Sequence, residues 1–153
     1  MTDPEARSYI VTLPIGLALI NSNESQHPGR RARIVRALRA ASAQAAVDNQ
    51  ALHAAVQASA PGPVLAHAHI IGVLHPHDRR KRDPANWYPS FKAAVDGIVD
   101  AGVLADDDST RVIGPDMRIG TPVRGSQIAL HIREITPSAL DWTSAQLAAA
   151  VTL

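Results

Sequence analysis

Three consecutive aspartates, Asp106-Asp107-Asp108, are the densest acidic run in the sequence. Their carboxylates repel one another, and two arrangements relieve the strain: full solvation in a surface turn, or a divalent cation. Mg²⁺ is the cation suited to such a set, because it takes carboxylate oxygens at roughly 2.0–2.1 Å and keeps several waters for chemistry. Asp83 is the second acidic position of interest. It and the triplet flank the same short apolar-periodic segment, a helix of about fifteen residues or ~20 Å of rise. A strand returning beside that helix would bring the two together. Arg79-Arg80-Lys81-Arg82 directly precede Asp83. By composition alone, the triplet reads as a solvated turn and the basic run as a solvated loop. Their combination offers cations that grip phosphates beside anions that hold a metal attacking one.

The other chemistry-bearing residues are less specific. His75-Pro76-His77-Asp78 has metal-ligand types but sits in loop-like sequence. His67 and His69 alternate along an apolar run and read as packed or hydrogen-bonded residues. Arg30, Arg31, Arg33, Arg36 and Arg39 lie within a helical pattern, as phosphate contacts or as a solvated face. Trp87 and Tyr88 adjoin Asp83 and suit either stacking on bases or filling a sparse core. There is no glycine-rich phosphate loop and no recognisable Ser-His-Asp arrangement.

The elements that must position these groups follow from periodicity and punctuation. Residues 9–20 read as an edge strand broken at Pro14 and Gly16. Loop chemistry at 21–29 leads into one long helix over about 30–58, with Ile34, Leu38, Ala41, Ala45, Leu52 and Val56 in a single stripe. Pro61-Gly62-Pro63 stops it. Residues 64–74 suit a strand and 75–84 a basic loop. A second helix runs over about 89–101, with Pro89 at its first turn and Gly102 past its end. Further strands are expected at 110–113 and 127–135, and a closing helix over about 138–151 with Trp142 as its anchor. The expected fold is a single α/β (α+β) domain over 1–153: a small mixed sheet packed with two main helices.

Composition bounds the classes. The chain has 153 residues, 46% hydrophobic and 19% charged, the balance of a globular protein. Much of the apolar content is alanine, with one Phe, two Trp and two Tyr, so the core is thin and a homodimer would bury more of it. The absence of cysteine excludes disulfides, thiolate catalysis and sulfur-ligated zinc. No apolar run approaches a membrane span and the first residues lack a signal-peptide core, so the expectation is a cytoplasmic protein with no membrane association. The net charge is +1, yet nine of fifteen basic residues fall in the clusters 30–39 and 79–82, a segregation compatible with a polyanion at one face.

The ordered set Arg82-Asp83-x-x-Asn86, Lys92-Ala93-x-x-Asp96, Ala101-Gly102-Val103 and Asp106-Asp107-Asp108 resembles the signature of the RusA family of Holliday-junction resolvases. That family reads Arg-Asp-x-Asp-Asn, a helix with Lys-x-x-x-Asp, then Gly-Val and an Asp-Asp pair. Asn23-x-x-x-His27 before the arginine-rich helix resembles its phage and actinobacterial members, and the likeness spans roughly residues 9–135. The resemblance implies a Mg²⁺-dependent endodeoxyribonuclease, with Mn²⁺ as a substitute, acting as a homodimer on four-way branched DNA in recombination and repair. It implies Asp83, Lys92 and Asp107 as catalytic residues and Asp83, Asp106, Asp107 and Asp108 as metal ligands. It implies DNA contacts from Asn23, His27, Arg30, Arg33, Arg79, Arg80, Lys81, Arg82 and Asn86. Two departures stand out. Ala85 replaces the family's second aspartate, for which Asp108 is the available substitute, and the gap from Asn86 to Lys92 is about three residues longer. The alternative is a catalytically impaired protein of the same fold that binds branched DNA. A metal-dependent hydrolase of another nucleic acid is a third reading.

Overall fold

The computed structural model describes residues 6–140. The run Ala-His-Ile-Ile-Gly-Val-Leu-His forms β2 (Ala68–His75), and its burial alternates strictly. Ala68, Ile70, Gly72 and Leu74 are buried, while His69, Ile71, Val73 and His75 face the other side half-covered. β2 is interior to a four-stranded mixed sheet with β1 (Ser8–Thr12), β3 (Val112–Ile119) and β4 (Gln127–Glu134), in the order β1-β4-β2-β3. β4 is antiparallel to both β1 and β2, whereas β2 and β3 are parallel. A parallel pair requires a crossover, supplied by α3 (Tyr88–Asp100). The 3₁₀ turn Pro84–Trp87 leads straight into that helix.

α3 lies on the buried face of β2, and Phe91 fills the space above Gly72. A Cβ on Gly72 would stand 2.5 Å from the Phe91 ring. The second layer is completed by α1 (Pro28–Asp48), which buries Ile34, Leu38, Ser42 and Ala46. α1 and α3 approach through small residues. A Cβ on Gly97 would meet the Arg39 carbonyl oxygen at 2.3 Å and Ser42 Cβ at 2.7 Å. At the same crossing Ser42 Oγ donates to the Ala94 carbonyl at 2.6 Å. The alanine bias of the sequence is thus the means of close helix packing, not only a dilution of the core.

Four expectations from the sequence are corrected. The single helix over 30–58 is two, α1 and α2 (Gln50–Ser59), broken at Asn49. Asn49 leaves helical geometry (ψ 108°), its Oδ1 accepts the Leu52 N–H at 3.0 Å, and its Nδ2 donates to the Ile10 carbonyl at 2.9 Å. The strand expected at 110–113 is the eight-residue β3, which continues through Gly114-Pro115. Its register against β2 slips by one residue there, with His69 opposite Ile113 but Ile71 opposite Asp116. Gly114 adopts φ +101°, 2.4 Å of virtual Cβ clearance from the Ile70 oxygen, so the bulge needs glycine. Pro115 is tolerated because β3 is an edge strand. The strand expected over 64–74 starts only at Ala68, although Val64 and Leu65 still donate to the carbonyls of Gly102 and Val103. The edge strand expected over 9–20 is found only as β1, Ser8–Thr12, and does not resume after Pro14 and Gly16, while the helix at 89–101 is found within a residue at each end. The closing helix expected over 138–151, with Trp142, lies outside the described residues from 141 onward. Among the described residues no helix is long and apolar enough to cross a membrane.

Candidate functional site

Two of the chemistry-bearing acids, Asp96 and Asp107, meet at α3 through one cation. Lys92, on the second turn, places Nζ 2.6 Å from Asp96 Oδ1 and 2.6 Å from Asp107 Oδ2. The first contact is the i,i+4 geometry of a helix; the second draws the 101–108 segment back along α3. Asp107 is largely covered, its side chain 23% exposed. The hydrogen bond from Lys92 holds its carboxyl below the ordinary carboxylate range despite the cost of burial. Burial works against the Lys92 ammonium, but the hydrogen bonds to Asp107 and Asp96 outweigh it and raise its pKa. Both groups are therefore charged at neutral pH.

The remaining acids are placed by turn chemistry. Asp83 is exposed at the N-cap of the 3₁₀ turn, where one oxygen accepts the Ala85 N–H at 3.0 Å. Asp106 is exposed and accepts the Asp107 N–H at 2.8 Å. Asp108 accepts from the Thr110 N–H at 2.8 Å, from the Thr110 hydroxyl, and from Arg111 at 2.6 Å. These bonds, the hydroxyl foremost, keep it ionised. Among the described residues no group of three or more His, Cys, Asp or Glu side chains is arranged to hold a metal ion. Asp83, Asp106, Asp107 and Asp108 are thus not a ready-made cage, and Asp108 is committed to its own turn. The donor set still fits Mg²⁺ of the sparsely held kind, which needs one or two carboxylates and several waters. Asp83 and Asp107 each offer a hard carboxylate oxygen of that type.

The expected DNA contacts divide into free and committed groups. Arg30, Arg33, Arg79 and Lys81 are exposed and form no ion pair with a described residue. Arg80 is 86% exposed and only loosely paired with Asp78, at 3.6 Å. Arg82 differs: its side chain is 13% exposed and fixed by Asp78 at 2.6 Å and the Arg80 carbonyl at 2.9 Å. Asn23 is exposed; its own N–H donates to Asn21 Oδ1. His27 caps α1, its Nδ1 accepting the Gly29 N–H at 3.1 Å. The Asn86 carbonyl accepts from Ser22 at 2.7 Å, which pins the loop after β1 to the 3₁₀ turn. The pairs Arg39–Asp100 and Ser42–Ala94 make α1 and α3 antiparallel, so Arg30 and Arg33 extend past the end of α3 from which the 101–108 segment departs. The loop 79–82 lies before its other end.

Asp78 and Asp96, which the sequence offered only as members of the motifs His75-Pro76-His77-Asp78 and Lys92-x-x-x-Asp96, take definite structural parts. Asp78 orders the basic loop, bonding the Arg80 N–H and the Arg82 guanidinium, and both hold its carboxyl below the ordinary range. Asp96 is the second anchor of Lys92. The spacings Asp78–Arg82 and Lys92–Asp96 were the available signals. His69 pairs with Asp116 at 2.5 Å on the sheet face, and His77 with Asp78 at 3.0 Å. Neither models of protein families nor curated proteins give a match to the chain.

Proposed function

We propose that the chain is a RusA-like, Mg²⁺-dependent endodeoxyribonuclease that acts as a homodimer on four-way branched DNA. The observation that carries this reading is Lys92, charged and held between Asp96 and Asp107 on a helix flanked at either end by basic residues that form no ion pair with a described residue. Arg79, Arg80 and Lys81 grip the backbone of one strand, and Arg30 and Arg33 that of another. Asp83 and Asp107 would hold the metal, with Asp106 assisting. When bound, Mg²⁺ supplies Lewis-acid polarisation of the scissile phosphate and an activated water. Lys92 keeps Asp107 ionised and oriented, and its ammonium is placed to offset charge developing on the phosphate. Two-fold symmetry in the protein matches a junction that presents paired strands.

The test is cleavage of a synthetic four-way junction in Mg²⁺. The parent is expected to nick it, and Asp107→Asn to lower the rate on the order of 100-fold or more. Absence of cleavage by both contradicts the enzyme reading. A second reading has its own support: Ala85 offers no carboxylate on the 3₁₀ turn, and the Lys92 ammonium already neutralises Asp107. That chain binds junctions and leaves them intact, and Ala85→Asp is the change that adds cleavage.

A further inference from the structure

A pocket of about 260 Å³ opens beside the 3₁₀ turn, between the loop after β1 and the basic loop, and Lys92 is not among its lining residues. It is smaller than the roughly 300–1,000 Å³ of drug-sized sites and suits one planar ring system. Trp87 forms part of its wall, and Arg80, His77, Asn21 and Glu24 stand among its lining residues. Arg82, also in the wall, is immobilised by Asp78, so that side of the pocket is preorganised.

The charges decide what enters. Arg80 is almost fully exposed and draws a polyanionic strand to the opening. Glu24 forms no ion pair with a described residue, and its carboxylate repels a phosphate group. Asn21 uses Oδ1 to accept the Asn23 N–H at 2.9 Å, which leaves its amide NH₂ to donate. An aromatic wall, one anionic acceptor and one amide donor are the complement of a nucleobase edge and face, not of a phosphate.

We propose that this pocket receives one unpaired nucleobase at the branch, stacked on Trp87, with Glu24 accepting from an exocyclic amine. Thymine, which lacks that amine, is disfavoured. The inference rests on the reading of the chain as a branched-DNA protein and names how it tells a branch from plain duplex.

The test uses the full chain in EDTA, so that DNA stays intact, and branched duplexes bearing a short single-stranded arm. Each unpaired base in turn is kept, removed to leave an abasic sugar, or replaced by thymine. One position is expected at which base removal weakens binding roughly 5- to 100-fold. Trp87→Ala should abolish that penalty, and Glu24→Gln should erase the preference against thymine. Trp87 also packs on the core, so the exposed Glu24 change keeps the test valid if the tryptophan variant unfolds. Equal binding at every abasic position, or an unchanged thymine penalty in Glu24→Gln, overturns the pocket while leaving the branched-DNA reading intact. No salt-dependent binding to any branched DNA overturns both.

Discussion

Lys92 and Asp107 carry opposite charges in a partly covered contact, and their titration fixes when that contact contributes. Asp107 has its folded pKa lowered, so its contribution is present above the unfolded value of about 3.9 and is lost as pH falls through the folded one. Lys92 is raised, so its contribution is present below about 10.4 and is lost as pH rises through the folded value. The difference in urea midpoint between the parent and Asp107→Asn should therefore hold steady from about pH 5 to 9 and shrink below about pH 4. A difference that persists undiminished at pH 2 contradicts the pairing. The lysine and both its partners were legible in the sequence as types at set spacings. That Asp107, and not Asp106 or Asp108, reaches Lys92 was not, because neighbouring aspartates are chemically equal until the turn at Thr110 and Arg111 claims one of them.

The elements that present this contact depend on two small residues. Asn49→Ala removes the side-chain acceptor at the start of α2 and the tie to Ile10, and should cost about 1 kcal/mol in chemical denaturation. Gly97→Val forces a side chain into the backbone of α1 and should cost about 1–3 kcal/mol. A stabilised Gly97→Val, as helix propensity alone implies, would contradict the close crossing. Strong periodicity made α3 and β4 readable almost to the residue. The break at Asn49 was hidden because the alanine-rich stripe runs through it without changing period, although asparagine before a helical run is itself a capping signal. β3 was cut short because Gly-Pro reads as a stop, and only an edge position with a glycine bulge lets the strand continue.

At the scale of the molecule, α1 and α3 share one face of the sheet, and the free basic residues lie towards the two ends of α3. The salt dependence of branched-DNA binding reports which of them touch phosphate. Replacing Arg79, Arg80 and Lys81 with alanine should flatten the slope of log K against log salt by up to about 3. Arg39→Ala should leave the slope unchanged, since Asp100 already holds that guanidinium through two contacts, at 2.5 and 2.7 Å. The thin core inferred from composition is offset by close helix contact through Ser42, Ala94 and Gly97, which amino-acid counts do not reveal. The most direct measurement of the central claim is Mn²⁺ binding followed by electron paramagnetic resonance on the parent, Asp83→Asn and Asp107→Asn. The account predicts saturable binding to the parent, weakened at least about 10-fold by either substitution. Equal Mn²⁺ affinity in all three proteins would show that the two carboxylates share no ion.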